Sequence, residues 1–151
     1  YGIKPLTELF EKETKVDSEL VFYIGLRDLD PKERELMHKA KVKTLTMADI
    51  DRIGFTESVK QLIKFIKTKT DVVHVSVDMD VIDPMFAPGV GIPLPCGLTY
   101  REILLLMEEL AKTNKVKSAE IVEVNPVLDV RNQTAAMAVE IVGRLLGGTI
   151  Y

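Results

Sequence analysis

The sequence is short of the residue types that most readily betray a function. Cys96 is its one cysteine, so no internal disulfide can form, and the composition suits a reducing compartment, with the cytoplasm as the expectation. His38 and His74 are the only histidines, which leaves few nitrogen ligands for a transition metal. No apolar stretch reaches the ~20 residues of a membrane span, and the opening segment is not a signal peptide. An excess of one charge sign is also missing: 20 basic residues face 23 acidic ones, a formal charge of -3 without long runs. That balance gives no electrostatic reason to expect nucleic acid or an anionic membrane as partner. Internal repeats and low-complexity segments are absent. The first residue is Tyr1 and not methionine, so the chain is expected to begin inside a longer protein.

What is present is enough for one well-packed domain: 151 residues with 46% hydrophobic content and no shift of composition along the chain. Apolar or β-branched runs over residues 20–26, 42–45, 72–77 and 116–124 read as strands, the first of them ending in the polar Arg27-Asp28-Leu29-Asp30-Pro31. Helical composition or spacing covers residues 32–41, 55–67, 99–113 and 133–146. Proline stands in the first turn of the first helix, Thr99 with Glu102 forms a capping box on the third, and Gly147-Gly148 ends the last. Thr46 is read as the cap of a further helical turn. Strands alternating with helices imply parallel pairing by right-handed crossovers, hence a three-layer α/β/α domain with a mainly parallel sheet covered on both faces. In such sheets ligands gather at the carboxyl ends of strands. Three polar clusters, 27–30, 78–83 and 123–125, fall there and can share one crevice. The loop 80–97, rich in proline and glycine, is too long for a bare connection.

In Ser76-Val77-Asp78-Met79-Asp80, strand alternation predicts that Ser76, Asp78 and Asp80 point to one face, with both carboxylates in reach of one ion. Two carboxylates leaving an apolar strand repel each other, and a hard cation such as Mn²⁺ or Mg²⁺ removes that cost. The competing reading is that they cap the following loop, with Asp83 before Pro84 making an Asx turn. His74 shares the strand and the face but lies ~13 Å from Asp78 along it, so it reads as a buried, hydrogen-bonded structural histidine. His38, in a charged helical stretch, reads as a solvated surface residue. Glu123, at the end of another strand, can bind a cationic group or accept a proton, or anchor a turn. Asp28 and Asp30 are either turn formers before Pro31 or binders of an ammonium group.

The stretch Ser76-Val77-Asp78-Met79-Asp80-Val81-Ile82-Asp83-Pro84, followed by Ala87-Pro88-Gly89, resembles the second metal motif of the arginase and agmatinase superfamily. Tyr23-Ile24-Gly25-Leu26-Arg27-Asp28-Leu29-Asp30, Gly97-Leu98-Thr99-Tyr100-Arg101-Glu102 and Glu123-Val124-Asn125-Pro126 favour arginase over its relatives. The resemblance runs from about Val21 to Leu146, and it implies that residues 1–151 are the C-terminal part of a single arginase-like catalytic domain. It further implies that Asp78 bridges two Mn²⁺ ions and that Asp80 binds one of them. Hydroxide formed on the metals would attack the guanidinium carbon of L-arginine and release L-ornithine and urea. By the same resemblance Glu123 holds the guanidinium, and Asp30 and Glu33 contact the α-amino end of the substrate. Asp28 and Asp83 would support the site from behind its ligands. Arg101 and Glu102 are similar to an ion pair at the family's trimer interface, implying a homotrimer or homohexamer.

The family's histidine-bearing motifs, Gly-Gly-Asp-His and Asp-Ala-His-x-Asp, do not occur in these residues; they are expected before Tyr1, so this chain carries only part of the site. Gly89-Val90-Gly91-Ile92-Pro93 stands where the family has Gly-Thr-Gly-Thr-Pro, and Cys96 where it has glycine. Alternatives are an agmatinase, another guanidino or formimino hydrolase, or a non-catalytic arginase-like subunit.

Overall fold

The computed structural model describes residues 3–9 and 16–148. After a short helix α1 (Lys4–Thr7) and a 3-10 turn (Ser18–Leu20), the order is β1 (Phe22–Leu26), α2 (Pro31–Lys39), β2 (Lys43–Thr46), α3 (Met47–Ile53), α4 (Phe55–Lys69), β3 (Val73–Asp78), α5 (Tyr100–Ala111), β4 (Val116–Val122) and α6 (Gln133–Leu145). The α/β alternation and the parallel pairing follow the sequence pattern. β1 pairs with β2 and β3 with β4, all parallel.

Local chemistry fixes the helix ends. Asp30 Oδ1 accepts the N–H groups of Lys32 and Glu33 at 2.8 and 3.0 Å, and Pro31 occupies the first turn, where its missing N–H costs nothing. Thr46 with Asp49, and Thr99 with Glu102, form reciprocal capping boxes, so the Thr46 cap opens the whole of α3. A substitution of such a capping residue by alanine costs about 1 kcal/mol.

The core is built by the inward stripes of three helices. Val59, Leu62 and Ile66 of α4, Ile103, Leu106, Met107 and Leu110 of α5, and Met137, Ile141 and Leu145 of α6 are buried against Val75 and Val77 of β3. Those i, i+3, i+4, i+7 intervals are one face of a helix. Helices cover that side of the β3–β4 pair. On the other side His74, Ser76 and Asp78 alternate with the buried valines and are exposed. His74 is thus not buried: its side chain is 53% exposed, though its Nδ1 lies 2.8 Å from Ser118 Oγ. Strand alternation places it on the open side with Ser76 and Asp78, and no described residue covers that side.

Among the described residues the two strand pairs are not joined by a ladder. β1 instead comes against the turn that follows β3: the Cβ that any other residue would carry at Gly25 collides with Val81 Cγ2, and Gly25 sits at a φ of +89°. Only glycine meets both conditions without strain. Among the described residues no helix is long and apolar enough to cross a membrane.

Candidate functional site

β3 ends at Asp78, and Met79–Val81 is a 3-10 turn. Strand alternation therefore does not extend to Asp80, contrary to the sequence pattern. The reason is local: Asp78 Oδ1 accepts the Asp80 N–H at 2.8 Å, which caps the turn and ends the ladder. The capping reading of this pair is met at Asp78, and Asp80 stays close enough for the charge of Asp78 to act on it.

Asp80 stands out among the described residues. Its Oδ2 accepts the Ile92 N–H at 3.3 Å, while its Oδ1 is buried and has no hydrogen-bond partner. Burial raises its pKa, and the charges of Asp78 and Glu123 push in the same direction. An orphaned, buried carboxylate oxygen facing two further carboxylates costs free energy unless a cation reaches it. Asp78 and Asp80 thus fit a divalent metal in donor chemistry. They do not complete a ligand set: among the described residues no group of three or more His, Cys, Asp and Glu side chains is arranged to hold an ion. His74 and His38 stand outside the pair, as their sequence positions predict.

Glu123 follows directly on β4 with a φ of +66°, a left-handed conformation that non-glycine residues rarely adopt and that clusters at functional sites. Its Oε2 lies 3.2 Å from the position a Cβ on Gly91 would take, so the glycine leaves room for the carboxylate above the loop. Glu123 is exposed and can receive a cation from solvent.

The loop 80–97 is the floor of the site. At its neck Asp83 Oδ1 accepts the Met85 N–H at 2.9 Å, the expected Asx turn, and Oδ2 accepts Cys96 N–H at 2.8 Å and Gly97 N–H at 3.3 Å. Those bonds, the one from Met85 first, hold the Asp83 carboxyl below its usual range despite some burial. Further along, Gly89 N–H donates to Thr134 Oγ1 at 2.8 Å and Gly89 O accepts from Asn125 N–H at 2.8 Å. Val90 bridges to Val124. A side chain at Gly89 would run into Asp129, which caps α6 through Thr134 and Ala135.

Asp28, Asp30 and Glu33 are exposed at and beyond the end of β1. Among the described residues no hydrogen bond or ion pair links them to Asp78, Asp80 or Glu123, and Asp30 serves as the cap of α2. What joins β1 to the loop is Arg27, which sequence reasoning did not single out. Its guanidinium donates to the carbonyl oxygens of Asp80 and Leu94 at 2.6 Å, Pro95 at 3.2 Å and Val81 at 3.3 Å. The signal that marks it is a lone cation directly after an apolar strand. Within this chain Glu102 is held by its own cap and Arg101 by Glu108, at 3.0 Å.

Arg27 after β1, the turn after β3 and Glu123 after β4 thus come together at the carboxyl ends of parallel strands, and the chain is similar to known proteins. The chain is 45% identical over 147 residues to the arginase of Bacillus caldovelox, covering 97% of this chain and 49% of that protein. It superposes on the solved structure of that arginase with a TM-score of 0.96 at 44% identity, over 100% of this chain and 50% of that one. The formimidoylglutamase of Bacillus subtilis gives a TM-score of 0.83 at 30% identity, over 93% of this chain and 45% of that one. The chain spans about half the length of the curated relatives it matches. The model of the arginase family matches residues 5–147, nearly the whole chain, and the chain belongs to that family.

Proposed function

We propose that this chain is the C-terminal part of a manganese-dependent arginase that hydrolyses L-arginine to L-ornithine and urea. The observation that carries the reading is the buried, unpartnered Asp80 Oδ1 beside Asp78 and Glu123, in a chain 45% identical to an arginase. Asp78 and Asp80 would hold two Mn²⁺ ions together with ligands from outside this chain. When bound, the metals supply activated water at neutral pH and stabilise developing negative charge.

The chain's own residues bind and orient the substrate. Glu123, exposed and turned over Gly91, accepts two charge-assisted hydrogen bonds from the guanidinium and fixes its plane. Held in one plane, the guanidinium carbon presents a face to the attacking water. Asp30 and Glu33, one turn apart at the start of α2, attract the α-ammonium group. The caps on Lys32 and Glu33 engage Asp30 Oδ1, so Oδ2 is the oxygen available to substrate. Asp83 keeps the loop neck closed beneath the carboxylates.

A second reading, hydrolysis of another guanidino or formimino compound, is favoured by the likeness to the formimidoylglutamase and by the apolar Val90 and Ile92 beside the site. We further propose a homotrimer or homohexamer, with Arg101, 64% exposed, available to a neighbouring subunit. The setting proposed is the cytoplasm, in keeping with an exposed free thiol at Cys96.

The test is urea release from arginine and, separately, from agmatine by the complete Mn²⁺-loaded protein, beside Asp78→Ala. Urea from arginine alone, reduced by at least ~10³-fold in the variant, is the expected result. No urea from either substrate with metal bound would instead support a non-catalytic arginase-like subunit.

A further inference from the structure

Arg27 stands among acidic groups and binds none of them. Asp80 and Asp83 lie close enough for its charge to act on both, yet every hydrogen bond of its guanidinium goes to a main-chain carbonyl. The four acceptors come from two segments far apart in the loop. Asp80 and Val81 open it; Leu94 and Pro95 close it. One planar fork on the end of β1 therefore pins both ends of the loop 80–97 to the strand that leads into Asp28 and Asp30.

The consequence falls on Asp80. Arg27 Nη2 holds its carbonyl at 2.6 Å, and Ile92 N–H, on the loop that the same guanidinium closes, holds Oδ2 at 3.3 Å. With main chain and one carboxylate oxygen fixed, Oδ1 is the only acceptor left free, and it has one direction to point. Gly25 completes the fit, since a side chain there would push Val81 away from Arg27.

We propose that Arg27 is the positioning residue that presents Asp80 Oδ1 to a divalent cation, coupling the metal loop to the substrate end of β1. This rests on the metal reading above. Lysine cannot replace it. An ammonium offers three donors from one point, whereas these four carbonyls surround a planar fork.

The experiment compares the complete wild-type protein, Arg27→Lys and a core variant of matched thermal stability, Leu62→Val, by equilibrium Mn²⁺ titration with free Mn²⁺ read by electron paramagnetic resonance. Steady-state kinetics on arginine accompany it. Arg27→Lys is expected to lower Mn²⁺ affinity ~10-fold or more, as loss of groups behind a metal ligand does, with kcat recovering at saturating Mn²⁺ and KM little changed. Leu62→Val should keep wild-type affinity. Wild-type affinity in Arg27→Lys, or a loss no greater than that in Leu62→Val, overturns the inference and leaves the metal reading intact. A wild-type protein that takes up no Mn²⁺ overturns both. If Arg27→Lys does not fold, Ile92→Pro, which deletes the N–H on Asp80 Oδ2 and keeps Arg27, must show the same fall in affinity, and unchanged affinity there counts against the positioning of Asp80.

Discussion

At the scale of the residue, two groups are held in states that cost free energy. Glu123 adopts a left-handed backbone, at a cost of about 1–3 kcal/mol, and Asp80 keeps a carboxylate oxygen buried without a partner. For Asp80 the sign of the pH dependence follows from its raised pKa, caused by burial and then by Asp78. A carboxyl whose folded pKa lies above its unfolded value stabilises the fold while protonated, and that contribution is lost as pH rises through the folded value. At neutral pH the ionised Asp80 therefore weighs against the metal-free fold. Asp80→Asn should raise the melting temperature of the metal-free protein at pH 7, each kcal/mol gained appearing as about 2–4 °C at this chain length. In the complete protein the same variant should gain far less from added Mn²⁺ than the wild type. Calorimetry with and without the metal reads both effects, and a lower melting temperature in the metal-free variant would count against the orphaned oxygen.

Among the elements, the seam between α5 and α6 carries a connected charge network. Glu108 pairs with Arg101 at 3.0 Å and with Arg144 at 3.4 Å, and the Arg144 and Glu108 side chains are only 16% and 15% exposed. Arg144 also binds Glu140 at 3.2 Å, and Glu140 accepts the Tyr100 hydroxyl. Burial and then that bond push the Tyr100 phenol up to about 12. The hydrogen bond from Arg101, followed by the charges of Arg101 and Arg144, holds Glu108 below its ordinary range. A depressed folded pKa means stability that is present above the unfolded pKa and lost as pH falls through the folded one. Glu108→Gln should cost on the order of 1 kcal/mol at pH 7, and the gap to wild type should narrow below pH ~4. Urea unfolding at several pH values checks this; a gap independent of pH would mean that packing and not charge matters at Glu108.

The elements also separate what a pattern can carry from what it cannot. Capping boxes are legible because both partners lie within one turn, as at Thr99 and Glu102. The end of β3 was not, because alternation alone does not reveal that the Asp78 carboxylate accepts the Asp80 N–H and turns the chain. The left-handed backbone at Glu123 is equally silent in sequence, since no glycine marks it.

For the molecule as a whole, the side of β3–β4 that carries His74, Ser76 and Asp78 is exposed, and among the described residues no group of three or more His, Cys, Asp and Glu side chains is arranged to hold an ion. Asp78 and Asp80 leave most of the coordination sphere of an ion to water or to ligands elsewhere. The isolated 151 residues are therefore expected to bind Mn²⁺ weakly and to release no urea from arginine. Isothermal titration with Mn²⁺ tests the point, and tight uptake of two ions per chain would refute it.

Sequence alone determined the α/β class, the parallel order of strands and helices, the caps at Thr46 and Thr99, and the family, because each of these is written in local periodicity or in a contiguous motif. It also named Asp78, Asp80 and Glu123 as the groups of interest. Only the tertiary structure decided that Asp80 lies in a turn with one oxygen orphaned, that Glu123 leans over Gly91, and that Arg27 ties the two ends of the loop to β1. Apart from the turn itself, which Asp78 makes locally, those facts depend on contacts between residues 12 or more positions apart. A main-chain carbonyl, which accepts the bonds of Arg27, looks the same in every residue and leaves no mark in the sequence.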